Sequence, residues 1–386
     1  MQNRLRRLAR DESGMTYVFI GLGFMAFLSA SMLAIDVGML MTARNQAQNS
    51  ADAGALAGAT ALVYNDFNDR SATGPSVTNA INTAVANQVM AKNVSVIASD
   101  VQFLPDAMGE QTRVRVTVRR TASRGNPVAT QIAKYFGLLA TDIGARATAE
   151  ASPANAMNCV LPFTIPDRWT EVQTPTWDPD DTFDMVDKKG KPIANPDVYH
   201  GPEYKASYTG YNAERDKGML ITLKADNGSK IAPSFYQAWD VPGSNNGAAD
   251  YRDAIGKCRN YVMGFGDTFV AEPGMMTGPT NQGMADLIAQ DPGAYWDPVN
   301  KKVVSTKQPS PRVRAIPLFD PEYYDTGKRN GRNASLKFVN YLGFFVERMQ
   351  GNEVVGRITP IGGMRKGAGY GPAPEGAFPK TIRLVE

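Results

Sequence analysis

Histidine and cysteine are scarce in this chain of 386 residues, which has one histidine, His200, and two cysteines, Cys159 and Cys258. A single histidine excludes most metal-hydrolase and Ser-His-Asp schemes, and two cysteines are too few for a zinc ribbon or a disulfide-rich miniature fold. The sequence also lacks a GxSxG elbow, an HExxH helix and a Walker A loop. We therefore expect neither enzymatic activity nor a cofactor, and we expect His200 in a loop among aromatic residues.

An excess of charge of one sign is also missing, because 41 Lys and Arg residues stand against 38 Asp and Glu residues and leave +3. That balance disfavours a protein that coats nucleic acid, so we expect no nucleic-acid partner. Hydrophobic residues make up 43% and charged residues 20%, which excludes wholesale disorder. The 36 glycines and 25 prolines indicate many turns and a β-rich or loop-rich architecture.

Residues 15–35 form one long apolar run without a charged side chain. As a helix with about 1.5 Å per residue, the run spans roughly 30 Å, the hydrocarbon thickness of a bilayer. A basic tail, 1–14, precedes it and contains Arg4, Arg6, Arg7 and Arg10. After the run, Arg44 is the only Lys or Arg before Lys92. This asymmetry predicts a single pass through the inner (cytoplasmic) membrane, with the tail in the cytoplasm and the body periplasmic or extracellular.

Two alternatives to a retained anchor involve cleavage of this segment. A cleaved secretory signal peptide also combines basic residues with an apolar core, but the run is long for one and residues 29–31 make a poor cleavage site. A prepilin-type cut between Gly14 and Met15 is the other, although Phe19 stands where type IV pilins have a glutamate. The helical pattern continues past the run without a break, which favours the anchor.

Asp36 closes the apolar run. We interpret it as a marker of the membrane boundary. The alternative is a pairing with a cationic group on a neighbouring helix, because an unpaired carboxylate at this depth carries a desolvation cost.

Small residues form a stripe on the helix that continues through residues 36–62. The stripe consists of Ala47, Ala51, Gly54, Ala55, Gly58 and Ala59. A helix with such a stripe lets another backbone approach closely, and each glycine costs about 1 kcal/mol relative to alanine, so close packing is expected to compensate. Two interpretations stay open: contact with a partner helix, including a second copy of the chain, or packing on the chain's own domain.

The pattern beyond the anchor predicts an α+β chain with two folded parts. Residues 36–152 read as a small α-β-β-α-β domain continuous with the transmembrane helix. Its predicted elements are a helix over Ser76–Lys92, strands over Val94–Leu104 and Thr112–Thr121, a helix over Val128–Leu139 and a strand over Ala145–Ala151. Residues 153–386 read as a β-rich, irregular α+β domain. Its predicted strands are Cys159–Ile165, Gly218–Lys224, Thr268–Ala271, Arg312–Phe319, Ser335–Arg348 and Glu353–Ile358, with one helix over Pro279–Gln290.

The two cysteines gain a role if the body lies outside the cytoplasm. Cys159 and Cys258 are 99 positions apart, and a bridge closing so long a loop stabilises by about 4 kcal/mol in the chain-entropy model. Two buried free thiols are the alternative. Neither cysteine belongs to a Cys-x-x-Cys pair, so a redox-catalytic role has little support.

An acidic segment over residues 178–187 is the best metal candidate in the sequence. Calcium favours oxygen ligands from flexible loops, but Phe183 stands where an EF-hand needs glycine. A solvated acidic loop is the simpler interpretation, and we predict no metal ligand.

The N-terminal residues resemble a known family. Residues 10–14, the apolar run and AIDVGMLMTARNQAQNSADAGALAGATAL resemble the N-terminal module of TadG-like proteins of the Tad/Flp pilus-assembly machinery. The features that match are an acidic-Gly entry, an Ala-x-Asp-x-Gly exit at Ala34, Asp36 and Gly38, and an Ala-rich helix. The resemblance covers roughly residues 10–60.

The resemblance implies an inner-membrane protein with an envelope-exposed body that acts in the assembly of adhesive pili. Its implied partners are pilin-like subunits, the inner-membrane platform and, as a further candidate, a secretin, besides the lipid bilayer itself. Many relatives carry a von Willebrand A domain, whose metal site needs Asp-x-Ser-x-Ser, and this chain lacks that triplet. An assembly or bridging role is therefore expected in place of metal-dependent adhesion.

A second hypothesis is an envelope-exposed hydrolase or carbohydrate-binding module. Its motivation is two loops rich in tyrosine and tryptophan, Trp169–Trp177 and Tyr199–Tyr211.

Overall fold

The computed structural model of the chain describes residues 13–385 apart from 66–68, 107–108, 175, 188, 227–229, 244–246, 260, 273, 308 and 330–334. The four arginines of the basic tail, Arg4, Arg6, Arg7 and Arg10, lie outside the described residues.

One continuous helix, α1 (Ser13–Tyr64), begins the described chain. At about 1.5 Å per residue its 52 residues extend for roughly 80 Å. The predicted continuation of the apolar run into the small-residue stripe is confirmed. The first half of α1 contacts little else, whereas the second half packs on a small α+β layer.

That layer consists of a second helix and a four-stranded antiparallel sheet with the order β19-β7-β4-β3. The elements are α2 (Pro75–Ala86), β3 (Val101–Leu104), β4 (Arg113–Arg120), β7 (Ile143–Pro153) and β19 (Lys380–Leu384). Val114, Val116 and Val118 of β4 point into the core and are fully buried, while Arg113 and Arg115 face outward. This is the alternation expected of a half-buried strand. The outer strand β19 comes from the C-terminus of the chain and pairs with β7.

The helix predicted over Val128–Leu139 is wrong. This segment forms a small hairpin whose strands are β5 (Val128–Ala129) and β6 (Ala140–Thr141), with a 3-10 turn at Ala133–Phe136 between them. Gly137 adopts a left-handed conformation with φ 91°, which ends the turn and reverses the chain. The helix predicted over Ser76–Lys92 also ends early, at Ala86, because β1 (Gln88–Val89) and β2 (Lys92–Asn93) form another hairpin.

The C-terminal body is built around a seven-stranded sheet with the order β13-β17-β16-β9-β11-β10-β18 among the described residues. Because β18 also pairs with β17, six of these strands close into a barrel. The strands are β9 (Phe163–Pro166), β10 (Leu220–Ala225), β11 (Phe235–Ala238), β13 (Thr268–Val270), β16 (Val313–Phe319), β17 (Ser335–Gln350) and β18 (Glu353–Ile358). Each of the six strands predicted for this part of the chain overlaps an observed strand, so the β-rich α+β prediction is confirmed.

Shorter elements surround the barrel. They are the strand pairs β8 (Ala156–Met157) with β12 (Met263–Gly264) and β14 (Tyr295–Asp297) with β15 (Lys302–Val304), and the helices α3 (Ala248–Gly256), α4 (Thr277–Ala289) and α5 (Pro321–Arg329). The helix α4 was predicted, whereas α3, α5, β11 and β19 were not.

Candidate functional site

The first part of α1 is an apolar surface that no other described element covers. Its large side chains stand open, as in Tyr17, which is 78% exposed, and Phe27, which is 69% exposed. The helix is long and apolar enough to cross a membrane. Signal sequences near an N-terminus also meet this criterion of length and composition. In water this surface would carry a large hydrophobic cost, which apolar surroundings would remove.

The small-residue stripe is buried against the chain's own domain. Ala47, Ala51, Ala55 and Ala59 are at most 1% exposed. A Cβ atom added to Gly54 would lie 2.9 Å from the Ala84 Cβ atom and 3.0 Å from the Ala80 carbonyl oxygen. One added to Gly58 would lie 2.8 Å from Cγ1 of Val114 in β4. In the structure, therefore, the stripe packs on the chain's own domain, against α2 and β4, which is the second of the two interpretations.

Two buried hydroxyl groups fix the register of this contact. The Ser50 hydroxyl donates to the Ala84 carbonyl oxygen at 2.7 Å, and the Ser76 hydroxyl donates to the Gly58 carbonyl oxygen at 2.8 Å. Because the two bonds cross the α1–α2 interface in opposite directions, they hold both ends of the contact in place.

Asp36 binds a loop of the same chain. Its carboxylate is 4% exposed and accepts backbone N–H groups from Gln131 at 2.8 Å, Ile132 at 3.1 Å and Ala133 at 2.6 Å. Three backbone donors satisfy this carboxylate, because each charge-assisted bond is stronger than a neutral one, and the positive charge of the nearby Lys134 adds to the stabilisation. The partner group is therefore the backbone of the β5–β6 hairpin, which neither interpretation of Asp36 included.

The opposite end of α1 is held by the C-terminal body. The Lys217 ammonium donates to the carbonyl oxygens of Tyr64 at 2.9 Å and Asn65 at 2.6 Å. A cation at this position satisfies helix-terminal carbonyls and complements the negative end of the helix dipole. Together with the β19–β7 pairing, this contact joins the body to the far end of the helix.

A polar cleft of about 900 Å³ lies beside this junction. Its walls include Glu110, which forms an ion pair with Lys205, and also Arg215, Lys217 and Lys380. Burial lowers the pKa of Lys380 to about 8, with the nearby Lys205 adding to the effect. The cleft is thus lined by charged groups of both signs.

The two cysteines form a disulfide, as predicted. Cys159 and Cys258 have Cα atoms 4.6 Å apart, and the bridge ties the segment before β9 to the segment after α3. The buried guanidinium of Arg314 in β16 lies with Nη1 2.9 Å from the Cys159 sulfur and Nη2 3.3 Å from the Gly256 carbonyl oxygen. Burial lowers the pKa of Arg314.

Comparison with protein families decides what the N-terminal helix is. Residues 14–61 match the Tad family, described as "Putative Flp pilus-assembly TadE/G-like". The chain carries an N-terminal Tad module. The resemblance read from the sequence is thereby confirmed. Comparisons with curated proteins and with solved structures returned no match.

The match covers both halves of α1, the exposed apolar segment and the buried stripe. Within the Tad module, Asp36 lies at the boundary between the exposed apolar segment and the buried stripe. The elements α2, β4, β7 and β19 lie outside the matched residues and supply the surface on which this half of α1 packs.

Most aromatic rings of the two aromatic loops pack inside the body. Trp169 and Tyr211 are at most 1% exposed and Tyr199 is 8% exposed. Trp177 contacts Tyr211 edge to face at a centroid distance of 6.0 Å, and the Arg168 guanidinium lies 4.0 Å from a Trp177 ring centroid. Most of these rings therefore form a core, whereas Tyr204 of the second loop is 65% exposed.

The acidic segment uses its carboxylates in local turns. The Asp178 N–H donates to Asp181, the Asp180 N–H donates to Asp178, and the N–H groups of Lys189 and Lys191 donate to Asp187. No group of three or more His, Cys, Asp or Glu that could hold a metal ion occurs in the described part of the chain. His200 lies in a loop and is exposed, with Nδ1 3.1 Å from the Ser207 carbonyl oxygen.

A buried carboxylate, Asp167, was not identified from the sequence. It follows β9 and accepts hydroxyl groups from Tyr199 at 3.1 Å and Tyr208 at 2.8 Å, as well as backbone N–H groups from Arg168 and Tyr211. Burial raises the pKa of Asp167 to about 6, and these hydrogen bonds offset only part of the effect. The network cross-links the aromatic loops to the start of the barrel.

Replacing Asp167 with asparagine should change how stability depends on pH. A carboxyl group with a raised native pKa favours folding when protonated, so its contribution is largest below pH 4 and is lost as pH rises towards 6. We expect the stability of the wild type relative to Asp167→Asn to fall by about 2 kcal/mol between pH 4 and pH 7, on the basis of about 1.4 kcal/mol per pKa unit and of an unfolded-state carboxyl group that is already partly ionised at pH 4. Urea unfolding at both pH values measures this difference.

Asp180→Asn is the matched control for the loss of one negative charge, since its side chain is 70% exposed. A stability difference between wild type and Asp167→Asn that stays constant from pH 4 to pH 7 would contradict the prediction.

Proposed function

We propose that this chain is a non-enzymatic, single-pass membrane component of Tad/Flp pilus assembly, which connects the inner membrane to other envelope parts of the machinery. The observation that carries the proposal is the family match over residues 14–61, where an exposed membrane-length helix runs without a break into a folded domain. In this proposal the basic tail lies in the cytoplasm and the body lies in the periplasm or beyond.

The arrangement of α1 supports a role in holding the body at a defined place on the membrane. Asp36 binds the domain near the membrane end of the helix, and Lys217 binds the body at the other end. About 28 helical residues separate these two contacts, which corresponds to roughly 40 Å. A stiff connection of this kind transmits position and force between the bilayer and the body, as a bridging component requires.

The disulfide and the buried aromatic loops support a structural body over an envelope hydrolase or a sugar-binding module. Most of the rings that motivated the second hypothesis lie in the core, and Tyr204 is an exposed one. The bridge between Cys159 and Cys258 fits the oxidising conditions outside the cytoplasm. Pilin-like subunits and the inner-membrane platform are the partners that this proposal names.

Replacing residues 15–35 with a cleavable signal peptide tests whether anchoring is needed for pilus assembly. We expect a strain that lacks the native chain to regain pili with the full-length protein but not with this exported, unanchored form, because the body would leave the membrane. Pilus counts by electron microscopy give the result. The matched control replaces the same residues with an unrelated transmembrane helix of equal length.

Restored pili with the unanchored form would contradict the anchoring role. The orientation has its own measurement, an alkaline phosphatase fused after residue 386. This fusion should be active only outside the cytoplasm, whereas a fusion after Arg10 should be inactive. The opposite pattern would overturn the proposed topology.

A further inference from the structure

The hairpin loop over residues 130–139 exposes large apolar side chains. The exposed fractions are 79% for Tyr135, 75% for Phe136, 53% for Leu138 and 71% for Leu139. Four such side chains within five positions form a contiguous apolar patch, and patches of this kind on a folded protein mark contact sites.

This loop is held in place on both sides. At its base, the Arg120 guanidinium donates to the carbonyl oxygens of Asn126 at 3.0 Å and Pro127 at 3.1 Å. Across the loop, the Thr130 N–H donates to the Leu139 carbonyl oxygen at 3.2 Å. The three N–H groups bound by Asp36 fix its other edge. The apolar side chains are therefore presented outward by an ordered backbone.

The loop lies at the membrane end of the small domain. The Gln48 side chain donates to the Arg146 carbonyl oxygen at 3.0 Å, which places the beginning of β7 beside that turn of α1. Asp36, which binds the loop, is 12 residues nearer to the apolar run, or about 18 Å along the helix axis. It is also the first residue after the apolar run.

The exposed apolar surface of α1 continues to the level of the loop. Beyond Asp36, Val37 is still 41% exposed and Met41 is 64% exposed. The loop and this part of the helix together extend the apolar surface of the anchor sideways. The surface that the loop offers is thus continuous with the one that the anchor offers to lipid.

We propose that residues 132–139 form a second membrane contact, in which Tyr135, Phe136, Leu138 and Leu139 enter the interfacial region of the phospholipid bilayer that α1 crosses. This inference rests on the proposed membrane anchor. Tyrosine and other amphipathic rings favour the headgroup level, and a lysine beside them can reach lipid phosphates. Lys134 is exposed and lies 5.2 Å from the Tyr135 ring centroid.

A second contact has a mechanical consequence. One helix alone leaves the body free to rotate about the helix axis, whereas a loop seated in the lipid interface fixes that rotation. The body then presents one defined face to the next component of the assembly.

Fluorescent labels on single introduced cysteines test the lipid contact in the full-length protein. The variants are Phe136→Cys in the loop, Met25→Cys in the middle of the apolar run and Val299→Cys on the body, all at exposed positions. The native cysteines are paired and do not react without a reductant. Each protein is reconstituted into phosphatidylcholine/phosphatidylglycerol vesicles that contain nitroxide-bearing lipids.

We expect the label at position 136 to lose most of its fluorescence when the nitroxide is on the acyl chain near the headgroup. The label at position 25 should lose most of its fluorescence when the nitroxide is near the end of the acyl chain. The label at 299 should keep its fluorescence with both. Adding Asp36→Ala should reduce quenching at 136 without affecting the label at 25, because the loop loses the acceptor for three N–H groups.

The two proposals fail in different ways. If the label at position 25 is quenched and the label at position 136 is not, the loop contact is overturned and the anchor stands. This is also the result expected if the loop binds another protein in place of lipid. Absence of quenching at both positions would overturn the anchor and the loop contact together.

Discussion

Replacing Gly54 with leucine should unfold the layer that α1 forms with α2 and β4. The new side chain would begin with a Cβ atom 2.9 Å from the Ala84 Cβ atom and 3.0 Å from the Ala80 carbonyl oxygen, before its three outer carbons are placed. A backbone oxygen cannot move aside as a flexible side chain can, so the helices must separate. Overpacking in a well-packed core costs 1–3 kcal/mol and sometimes more, and we expect more than about 3 kcal/mol here.

Hydrogen exchange of the full-length protein in detergent measures this effect directly. Amides of α2 and β4 should exchange at least about a hundredfold faster in Gly54→Leu, in line with a loss of about 3 kcal/mol. Gly58→Leu should behave in the same way, because its Cβ atom would meet Cγ1 of Val114 at 2.8 Å.

The matched control for both variants is Gly38→Leu. This glycine lies on the same helix, and a Cβ atom there would meet nothing within 4 Å. Its replacement should leave exchange in α2 and β4 unchanged. Native-like protection of α2 and β4 in Gly54→Leu would contradict the packing described here.

Local sequence patterns predicted the elements whose signal is contained in a few neighbouring residues. The strand β4 shows strict alternation of valine with polar residues, and α1 combines an apolar run with an alanine repeat. Over residues 128–139 the prediction of a helix failed, because the conformation there depends on contacts with residues outside the segment. Tyr135, Phe136, Leu138 and Leu139 are exposed, and the backbone is bent by Gly137 and by the hydrogen bonds of three N–H groups to Asp36, 95 or more positions away.

The parts of the site that could not be predicted from the sequence depend on contacts between residues far apart in the chain. The small-residue stripe was identified, but its neighbours, Ala80, Ala84 and Val114, come from separate elements. The strand β19 joins β7 across more than 220 residues, and no feature of its five residues names that partner. The disulfide is the exception, since a chain with two cysteines permits only one intramolecular pairing.

Removing that disulfide is expected to give the second large loss of stability. The bridge spans 99 positions, and in the chain-entropy model a loop of this length contributes about 4 kcal/mol by restricting the unfolded chain. The Cys159→Ser/Cys258→Ser double variant should therefore melt about 10 °C lower than the wild type, given 2–4 °C per kcal/mol for a domain of this size. Differential scanning calorimetry of the full-length protein in detergent gives both melting temperatures.

A reductant supplies the control for this comparison. It should lower the melting temperature of the wild type towards that of the double variant and leave the double variant unchanged, because serine cannot form the bridge. The effect should be confined to the body, so that exchange in α2 and β4 stays as in the wild type. An equal melting temperature for the wild type and the double variant under non-reducing conditions would contradict a stabilising bridge.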